Sequence, residues 1–341
     1  MKKTLFVLLL FCALTGFAQT PLLTTQWNQD YPYNQLCPAD PFENYAHSYA
    51  GCPAVAMGQI INYLQTTQNT RFDDGDDYFA NYMGRQFHID DDSKAYLFPS
   101  FPQLNEMLDS ADAAFQQGED LPDLLKAAVI FACGVACTQI YTAASNLGSG
   151  TYNVNQAYAA YLRFGFTDCQ LFREPSDVMY STLISNLQAG YPAHLAVENQ
   201  EGTTGHNVVV DGYRESDGKF HVNFGWGGYK DNWYDIPDPY GFSYGWTKIE
   251  GIILDIIPTS ANVHEVFSQQ LEVYPNPVSD VLHISNLPKE MADYAIFNVL
   301  GQKVASGSSS GTISVAELEK GIYVLQVKGE KSHKTAKFVV N

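Results

Sequence analysis

Apolar residues recur at helical spacing in the first half of the 341-residue chain. Met57, Ile60, Ile61 and Leu64 lie at positions i, i+3, i+4 and i+7, which places them on one face of a helix. Similar spacing, a proline before one segment and a serine before another predict the remaining helices. The predicted helices contain Met57–Leu64, Leu104–Ala111, Leu124–Ile140 and Ser176–Ala189.

The period of the pattern changes to two beyond Gly190, where apolar and polar residues alternate as they do in strands. The predicted strands are Ala193–Val197, Asn207–Tyr213, Lys219–Phe224 and Ile249–Ile257. Helices followed by strands indicate an α+β domain with a helical half and an antiparallel β half.

A polar stretch near residues 259–270 separates this domain from a segment of short β-branched runs. We interpret the stretch as a linker and residues 271–341 as a small all-β sandwich, with the serine-rich run Gly307–Gly311 as a turn. The predicted strands are Leu271–Tyr274, Val281–Ile284, Tyr294–Val299, Thr312–Val315, Ile322–Val327 and Lys337–Val340.

The first 18 residues have the pattern of a signal peptide. Lys2 and Lys3 precede the apolar run Thr4–Leu14, which is too short to span a bilayer, and small residues follow it. We therefore predict an exported chain whose first domain occupies residues 19–258. No later apolar run reaches about 18 residues, so no transmembrane segment is predicted in the mature chain.

The charge and the cysteines limit the function. The chain has 19 Lys+Arg against 37 Asp+Glu, and this acidic excess makes nucleic acid an unsuitable partner. Outside the signal peptide the cysteines are odd in number, so at least one thiol is expected to be free, either as a small buried hydrophobe or as a reactive thiolate. These cysteines are Cys37, Cys52, Cys133, Cys137 and Cys169.

Cys52 stands at the predicted first turn of a core helix, between Gly51 and Pro53. A helix N-terminus presents unpaired N–H groups and a partial positive charge, which favour thiolate over thiol. The alternative is a buried structural cysteine that only begins a helix.

A nucleophilic thiolate also needs a base. His206 follows the small residues 202–205 at the start of a predicted strand, whereas the other histidines have the settings of core or surface residues. The glycine-rich sequence 225–228 includes Trp226, which could shield an ion pair from water. A β-turn with core aromatics is the alternative for that segment.

These motifs together resemble the streptopain-like cysteine peptidases of the papain superfamily. The matching segments are WNQDYPYN, GCPAVAMGQI, GHNVVVDGY and FHVNFGWGG, in that order along the chain. The resemblance implies that Cys52 is the nucleophile, His206 the general base and acid, Gln29 an oxyanion donor and Trp226 a wall beside the histidine.

Two features depart from the family pattern. Streptopain has a tryptophan where this chain has Phe224, and papain has there an asparagine that orients its histidine. The Phe224 side chain packs but accepts no hydrogen bond, and Asn223 should point to the opposite face of its strand. The second departure is that the WNQ segment begins within ten residues of the predicted signal cleavage, which leaves no room for a long inhibitory propeptide.

The C-terminal segment is similar to the sorting domains of type IX secretion cargo. The matching segments are VYPNP, FNVLGQ and GIYV, followed by a basic stretch before the final strand. The resemblance implies export through the periplasm of a Gram-negative bacterium to the cell surface or the medium, with the outer-membrane secretion machinery as a partner.

These inferences predict a secreted cysteine endopeptidase that acts on protein or peptide substrates through a thioacyl-enzyme. No cofactor or metal is predicted, because the aspartate runs 73–77 and 90–92 lack the spacing of a calcium loop. Two alternatives stay open. One is a catalytically inactive papain-fold protein used for binding or adhesion, and the other is acyl transfer to an amine instead of water.

Overall fold

The structure, a computed structural model, describes residues 20–237, 242, 244–259, 271–285, 292–298, 303–328 and 333–341. Its contacts form two compact units that divide between Val263 and His264. The predicted signal peptide and residues 260–270 of the predicted linker lie outside the described residues. None of the described helices is long and apolar enough to cross a bilayer.

One helix, α1, is buried on all sides. Every residue from Pro53 to Ile61 is buried, which is typical of a helix enclosed by other elements. It packs against α3 on one side and the central sheet on the other. The helices of the described residues are α1 (Cys52–Leu64), α2 (Phe101–Gln117), α3 (Asp123–Ala136), α4 (Val154–Arg163) and α5 (Asp177–Gln188).

A six-stranded antiparallel sheet forms the second half of the first unit, and the predicted α+β class is confirmed. Its strands are β5 (Gln170–Phe172), β6 (Ala193–Glu198), β7 (Gly205–Arg214), β8 (Lys219–Asn223), β9 (Asn232–Tyr234) and β10 (Lys248–Leu254), in the order β5-β10-β6-β7-β8-β9. Two small hairpin sheets pair β1 (Ala39–Asp40) with β2 (Ala46–His47) and β3 (Phe79–Tyr82) with β4 (Arg85–His88).

The two faces of the sheet pack on different helices. Val209 of β7 belongs to the core that contains α1, whereas Val208 and Val210 belong to the core that contains α5. This division follows from the period of two along a strand. It also decides which residues of β7 face the start of α1.

Several element ends differ from the prediction, and each has a local cause. The helix α3 ends at Ala136 instead of 140, because Thr138 has φ +46° and Ile140 pairs with Gly150. The strand β10 ends at Leu254, because Asp255 has φ +55°. The helix α4, which the pattern did not predict, begins after the Asn153 side chain, which accepts a hydrogen bond from the first turn.

The second unit is a sandwich of two antiparallel sheets around one core that includes Leu282, Ile296, Leu325 and Phe338. One sheet joins β11 (Glu272–Tyr274), β12 (Val281–Ser285) and β15 (Thr312–Ser314). The other joins β14 (Lys303–Ser309), β13 (Ala292–Asn298), β16 (Gly321–Lys328) and β17 (His333–Val340).

The prediction of a turn across Gly307–Gly311 is wrong at its beginning. Residues 307–309 belong to β14, where Gly307 pairs with Tyr294 of β13. A Cβ atom at Gly307 would lie 3.2 Å from the Tyr294 ring, so the ring covers the space that the glycine leaves. Cross-strand contact with an aromatic ring thus compensates for the low strand propensity of glycine.

Candidate active site

Cys52 is the first residue of α1. Gly51 before it has φ +82°, and a Cβ atom there would lie 2.3 Å from Gln139 Oε1, so this turn into the helix requires glycine. Pro53 occupies the first turn, where a missing N–H costs nothing. Cys52 retains intermediate exposure and therefore lies at the positive end of a buried helix within reach of solvent.

The strand β7 carries His206 to the start of α1. Gly205 precedes it, and a Cβ atom at Gly205 would lie 2.6 Å from the Val197 carbonyl oxygen of β6. The backbone N–H of Asn207 donates to Cys52 Sγ at 3.4 Å. Because that nitrogen is bonded to the carbonyl carbon of His206, the backbone of the predicted base lies beside the sulfur of the predicted nucleophile.

A backbone carbonyl orients the imidazole of His206. Its Nε2 lies 2.8 Å from the carbonyl oxygen of Phe224, and a carbonyl only accepts, so Nε2 carries a proton. In the neutral ring the lone pair is then on Nδ1. The Phe224 main chain thus makes the hydrogen bond that its side chain cannot make.

Three aromatic rings lie around the imidazole of His206, a residue that is only 5% exposed. The ring centroids lie 4.5 Å from Trp226, 5.2 Å from Trp246 and 6.1 Å from Phe224. Trp226 is thus beside the histidine, where the resemblance had placed it. Trp246 was not singled out from the sequence, because it lies 40 residues after His206 and outside every matching motif.

Hydrogen bonds from the two peptide N–H groups that flank it, those of Phe224 and Gly225, fix the position of the Phe224 carbonyl. Its N–H donates to Asp231 Oδ1 at 2.8 Å, and the N–H of Gly225 donates to Asn223 Oδ1 at 3.0 Å. The Phe224 ring is fully buried and contacts the rings of Tyr234 and Phe242. The acceptor for His206 is therefore part of a rigid turn.

Asn223 lies on the α1 side of the sheet. Its Oδ1 accepts from Gln59 Nε2 at 3.0 Å, and its Nδ2 donates to the carbonyl of Thr25 at 2.9 Å. Its side chain thus joins β8, α1 and the N-terminal segment, and makes no recorded hydrogen bond to His206. This placement agrees with strand alternation and gives Asn223 a supporting position.

The N-terminal segment links the other motifs. The carbonyl of Gln29 accepts from the N–H of Ala50 at 2.9 Å, two residues before Cys52. The carbonyl of Trp27 accepts from the N–H of Gly227 at 3.0 Å, one residue after Trp226. The backbone of Gln29 is therefore held between the start of α1 and the glycine-rich turn.

Burial sets the protonation of the candidate pair. Packing around the sulfur raises the pKa of the Cys52 thiol, partly offset by the hydrogen bonds from Asn207. Burial lowers the pKa of His206 to about 4, although the bond to the Phe224 carbonyl acts in the opposite direction. Both shifts favour the uncharged forms, a thiol and a neutral imidazole, over the thiolate and imidazolium.

A thiol at the N-terminus of a buried helix, next to a histidine on an antiparallel sheet, defines a papain-like cysteine peptidase fold. The chain belongs to the Peptidase C10 family, the streptopain family, whose sequence model matches residues 27–234. Residues 272–341 match the secretion system C-terminal sorting domain, so the chain also carries a C-terminal signal for secretion.

Two relatives are similar to this chain. The thiol protease/hemagglutinin PrtT of Porphyromonas gingivalis is 29% identical over 219 residues, which are 62% of this chain and 22% of PrtT. The structure of active wild-type interpain A cysteine protease from Prevotella intermedia is 25% identical and has a TM-score of 0.52, covering 71% of this chain and 95% of that one. The matched part thus spans about a fifth of the length of PrtT.

Proposed function

We propose that the protein is a secreted cysteine endopeptidase in which Cys52 attacks the peptide carbonyl and His206 transfers the protons. The observation that most directly supports this proposal is the position of Cys52 Sγ beside β7, with His206 oriented by the Phe224 carbonyl. Membership of a cysteine peptidase family supports the same chemistry.

The acylation step begins from the neutral pair. As Sγ bonds to the scissile carbonyl carbon, its proton moves to Nδ1 of His206, and the carbonyl π electrons move to the oxygen. The imidazolium that forms donates to the Phe224 carbonyl, and the faces of Trp226 and Trp246 stabilise its positive charge. His206 then gives the proton to the leaving amine, which leaves an acyl group on the sulfur.

The oxyanion of this intermediate would be held by the Cys52 backbone N–H and the Gln29 side chain. Each such donor typically lowers the barrier by about 2.7–4 kcal/mol. In the second half of the reaction His206 takes a proton from water, which attacks the thioester, and the returning proton restores the thiol. Hydrolysis therefore balances with water as the co-reactant.

A casein digestion assay tests the proposal. Cys52→Ala should abolish proteolysis while the unfolding midpoint stays near the wild-type value, and a thiol-directed epoxide should inactivate the wild type. Cys169→Ala is the matched control, since this thiol is buried away from the motif and burial raises its pKa to about 11. Retention of casein cleavage by Cys52→Ala would rule out Cys52 as nucleophile.

The same assay separates the alternatives. An inactive binding protein would neither digest casein nor be labelled by the epoxide at Cys52. An acyltransferase would form the same labelled cysteine, but would join the acyl group to an added amine in preference to water. Mass spectrometry of the products distinguishes the amide from the free acid.

A further inference from the structure

A chain of hydrogen bonds on the α1 side of the sheet ends at Cys52. Asn207 faces this side together with Val209, because side chains alternate along β7. Its backbone nitrogen and its Nδ2 lie 3.4 Å and 3.7 Å from Cys52 Sγ. Both nitrogen groups are donors, so the sulfur accepts two hydrogen bonds from one residue.

The amide of Asn207 is held from behind by two buried residues. Its Oδ1 lies 2.8 Å from Nε2 of His194, and Nδ1 of His194 lies 3.2 Å from the Tyr161 hydroxyl. His194 and Tyr161 are both fully buried. We call these three residues the Tyr161–His194–Asn207 chain.

Each bond of this chain has a defined direction. Burial lowers the pKa of His194 to about 4, so its ring is neutral at neutral pH and carries one N–H. Asn207 Oδ1 only accepts, so that proton is on Nε2, and Nδ1 accepts from the Tyr161 hydroxyl. The amide nitrogen of Asn207 is therefore the end that faces Cys52.

We propose that Asn207 is a positioning residue for Cys52: the N–H groups of Asn207 hold the sulfur and stabilise the thiolate. His194 and Tyr161 keep the amide nitrogen of Asn207 toward the sulfur. This inference rests on the proposed role of Cys52 as nucleophile. Hydrogen bonds to the charged form of a group favour that form. A reversed amide would present an oxygen to the thiolate and repel it.

Other groups also act on the sulfur. The Glu250 carboxylate of β10 raises the pKa of Cys52. The backbone N–H of Cys52 itself, at the start of α1, lowers that pKa. The thiol of Cys137, after the end of α3, interacts electrostatically with it, and His206 precedes Asn207 on β7. Variants of Asn207 leave all of these groups in the protein, so a changed pH dependence reports on the amide.

Alkylation of Cys52 by iodoacetamide in the full-length protein tests the inference. The rate is measured from pH 5 to 9, and peptide mapping assigns the label. Asn207→Ala should lower the rate at pH 6 by about tenfold and move the pH profile upward, since a hydrogen bond to a charged group is lost. Asn186→Ala is the matched control, because this buried asparagine bonds to Asp255 and not to Cys52.

Tyr161→Phe removes one oxygen and keeps the ring, so it tests the chain where Asn207→Ala fails to fold. It should lower the rate at pH 6 by about two- to threefold, because the amide loses part of its orientation. Combined with Asn207→Ala it should cause no further loss, since Tyr161 acts through the amide. An additive loss would mean a general packing role and overturn the inference.

The outcomes separate this inference from the proposed function, because iodoacetamide reports on the thiol without peptide turnover. An active peptidase whose alkylation profile is unchanged in Asn207→Ala overturns the positioning role alone. An inactive protein whose profile shifts as expected overturns the peptidase proposal alone.

Discussion

At His206 the main chain does what a side chain does in papain. The carbonyl of Phe224 accepts the Nε2 proton, and a carbonyl is present whatever residue stands at position 224. The side chain acts instead through packing, because its ring is fully buried against the rings of Trp226, Tyr234 and Phe242. The orientation of the histidine and the identity of residue 224 are therefore separable.

Variants at position 224 should therefore change stability more than orientation. Phe224→Trp overfills a buried site and should lower the free energy of unfolding by about 1–3 kcal/mol. Phe224→Asn should not raise kcat, since the carbonyl already orients His206. Urea unfolding and pH–rate profiles measure both effects, with Phe242→Leu as a control in the same cluster. A Phe224→Asn enzyme more active than wild type would contradict this account.

Gln29→Ala should lower kcat by about 10²–10³ with little change in KM, because its side chain is proposed to act on the developing oxyanion. Steady-state kinetics on a fluorogenic peptide measure both constants. Gln35→Ala, in the same N-terminal region, is the control and should match wild type. If only KM changed in Gln29→Ala, the residue would bind substrate rather than the oxyanion.

Residues with a recognisable motif could be predicted, whereas those defined by geometry could not. The sequence around Cys52 and His206 indicates a nucleophile and a base because the chemistry needs those side chains. The carbonyl of Phe224 has no signature, since every residue has a carbonyl. Asn207 stands within a matching motif, but its contact with sulfur depends on how β7 lies against α1.

At the scale of elements, two neighbouring strands of the central sheet each bury a neutral histidine. His206 of β7 lies beside the ring of Trp226, and His194 of β6 bonds to Tyr161. Burial lowers the pKa of each to about 4. An unfolded histidine titrates near 6.5, so between these values the unfolded chain binds more protons than the folded protein.

Stability should consequently fall as the pH falls from 6.5 towards 4, by about 3 kcal/mol for each histidine. His194→Gln keeps an N–H for Asn207 and should remove one of the two contributions. Burial raises the pKa of Asp211 and Glu250, which act in the opposite sense but equally in both proteins. Urea unfolding at pH 7 and pH 4.5 measures the difference, and parallel pH profiles for the two proteins would contradict the prediction.

Helices and strands whose apolar residues recur with a regular period could be predicted from the sequence. Strands that form only because a neighbouring strand pairs with them could not. The helix α5 carries both signals of its ends: Ser176 accepts from Met179 at its beginning, and Gly190 has φ +88° after its end. The strand β14 is rich in serine and glycine, and its pairing with β13 outweighs that local preference. A single sequence does not show that pairing.

At the scale of the whole molecule, catalysis and export are assigned to different units. Every residue proposed to act in catalysis precedes Val263, where the first unit ends, and the sorting domain begins at residue 272. The two segments also differ in charge: residues 19–264 have 10 basic and 29 acidic residues, whereas residues 265–341 have 7 and 8. The two functions should therefore be separable by deletion.

Deletion of residues 271–341 should leave the casein-digesting activity of the purified protein within about twofold of wild type, because the second unit supplies no proposed site residue. The same deletion should prevent delivery to the cell exterior. Full-length Cys52→Ala is the complementary control, since it should be delivered but inactive. Loss of activity on deletion would make the sandwich domain part of the enzyme. Immunoblots of cell and medium fractions measure delivery.

The attachment of the N-terminal segment has a consequence for biosynthesis. Leu22 and Leu23 leave the ribosome early, yet they bond to Asp211, and Trp27 bonds to Gly227. A nascent chain that ends before residue 200 contains Cys52 but lacks the histidine, its carbonyl acceptor and the anchor of its own first residues. The order of synthesis thus delays assembly of the proposed Cys52–His206 site until most of the first unit has been translated.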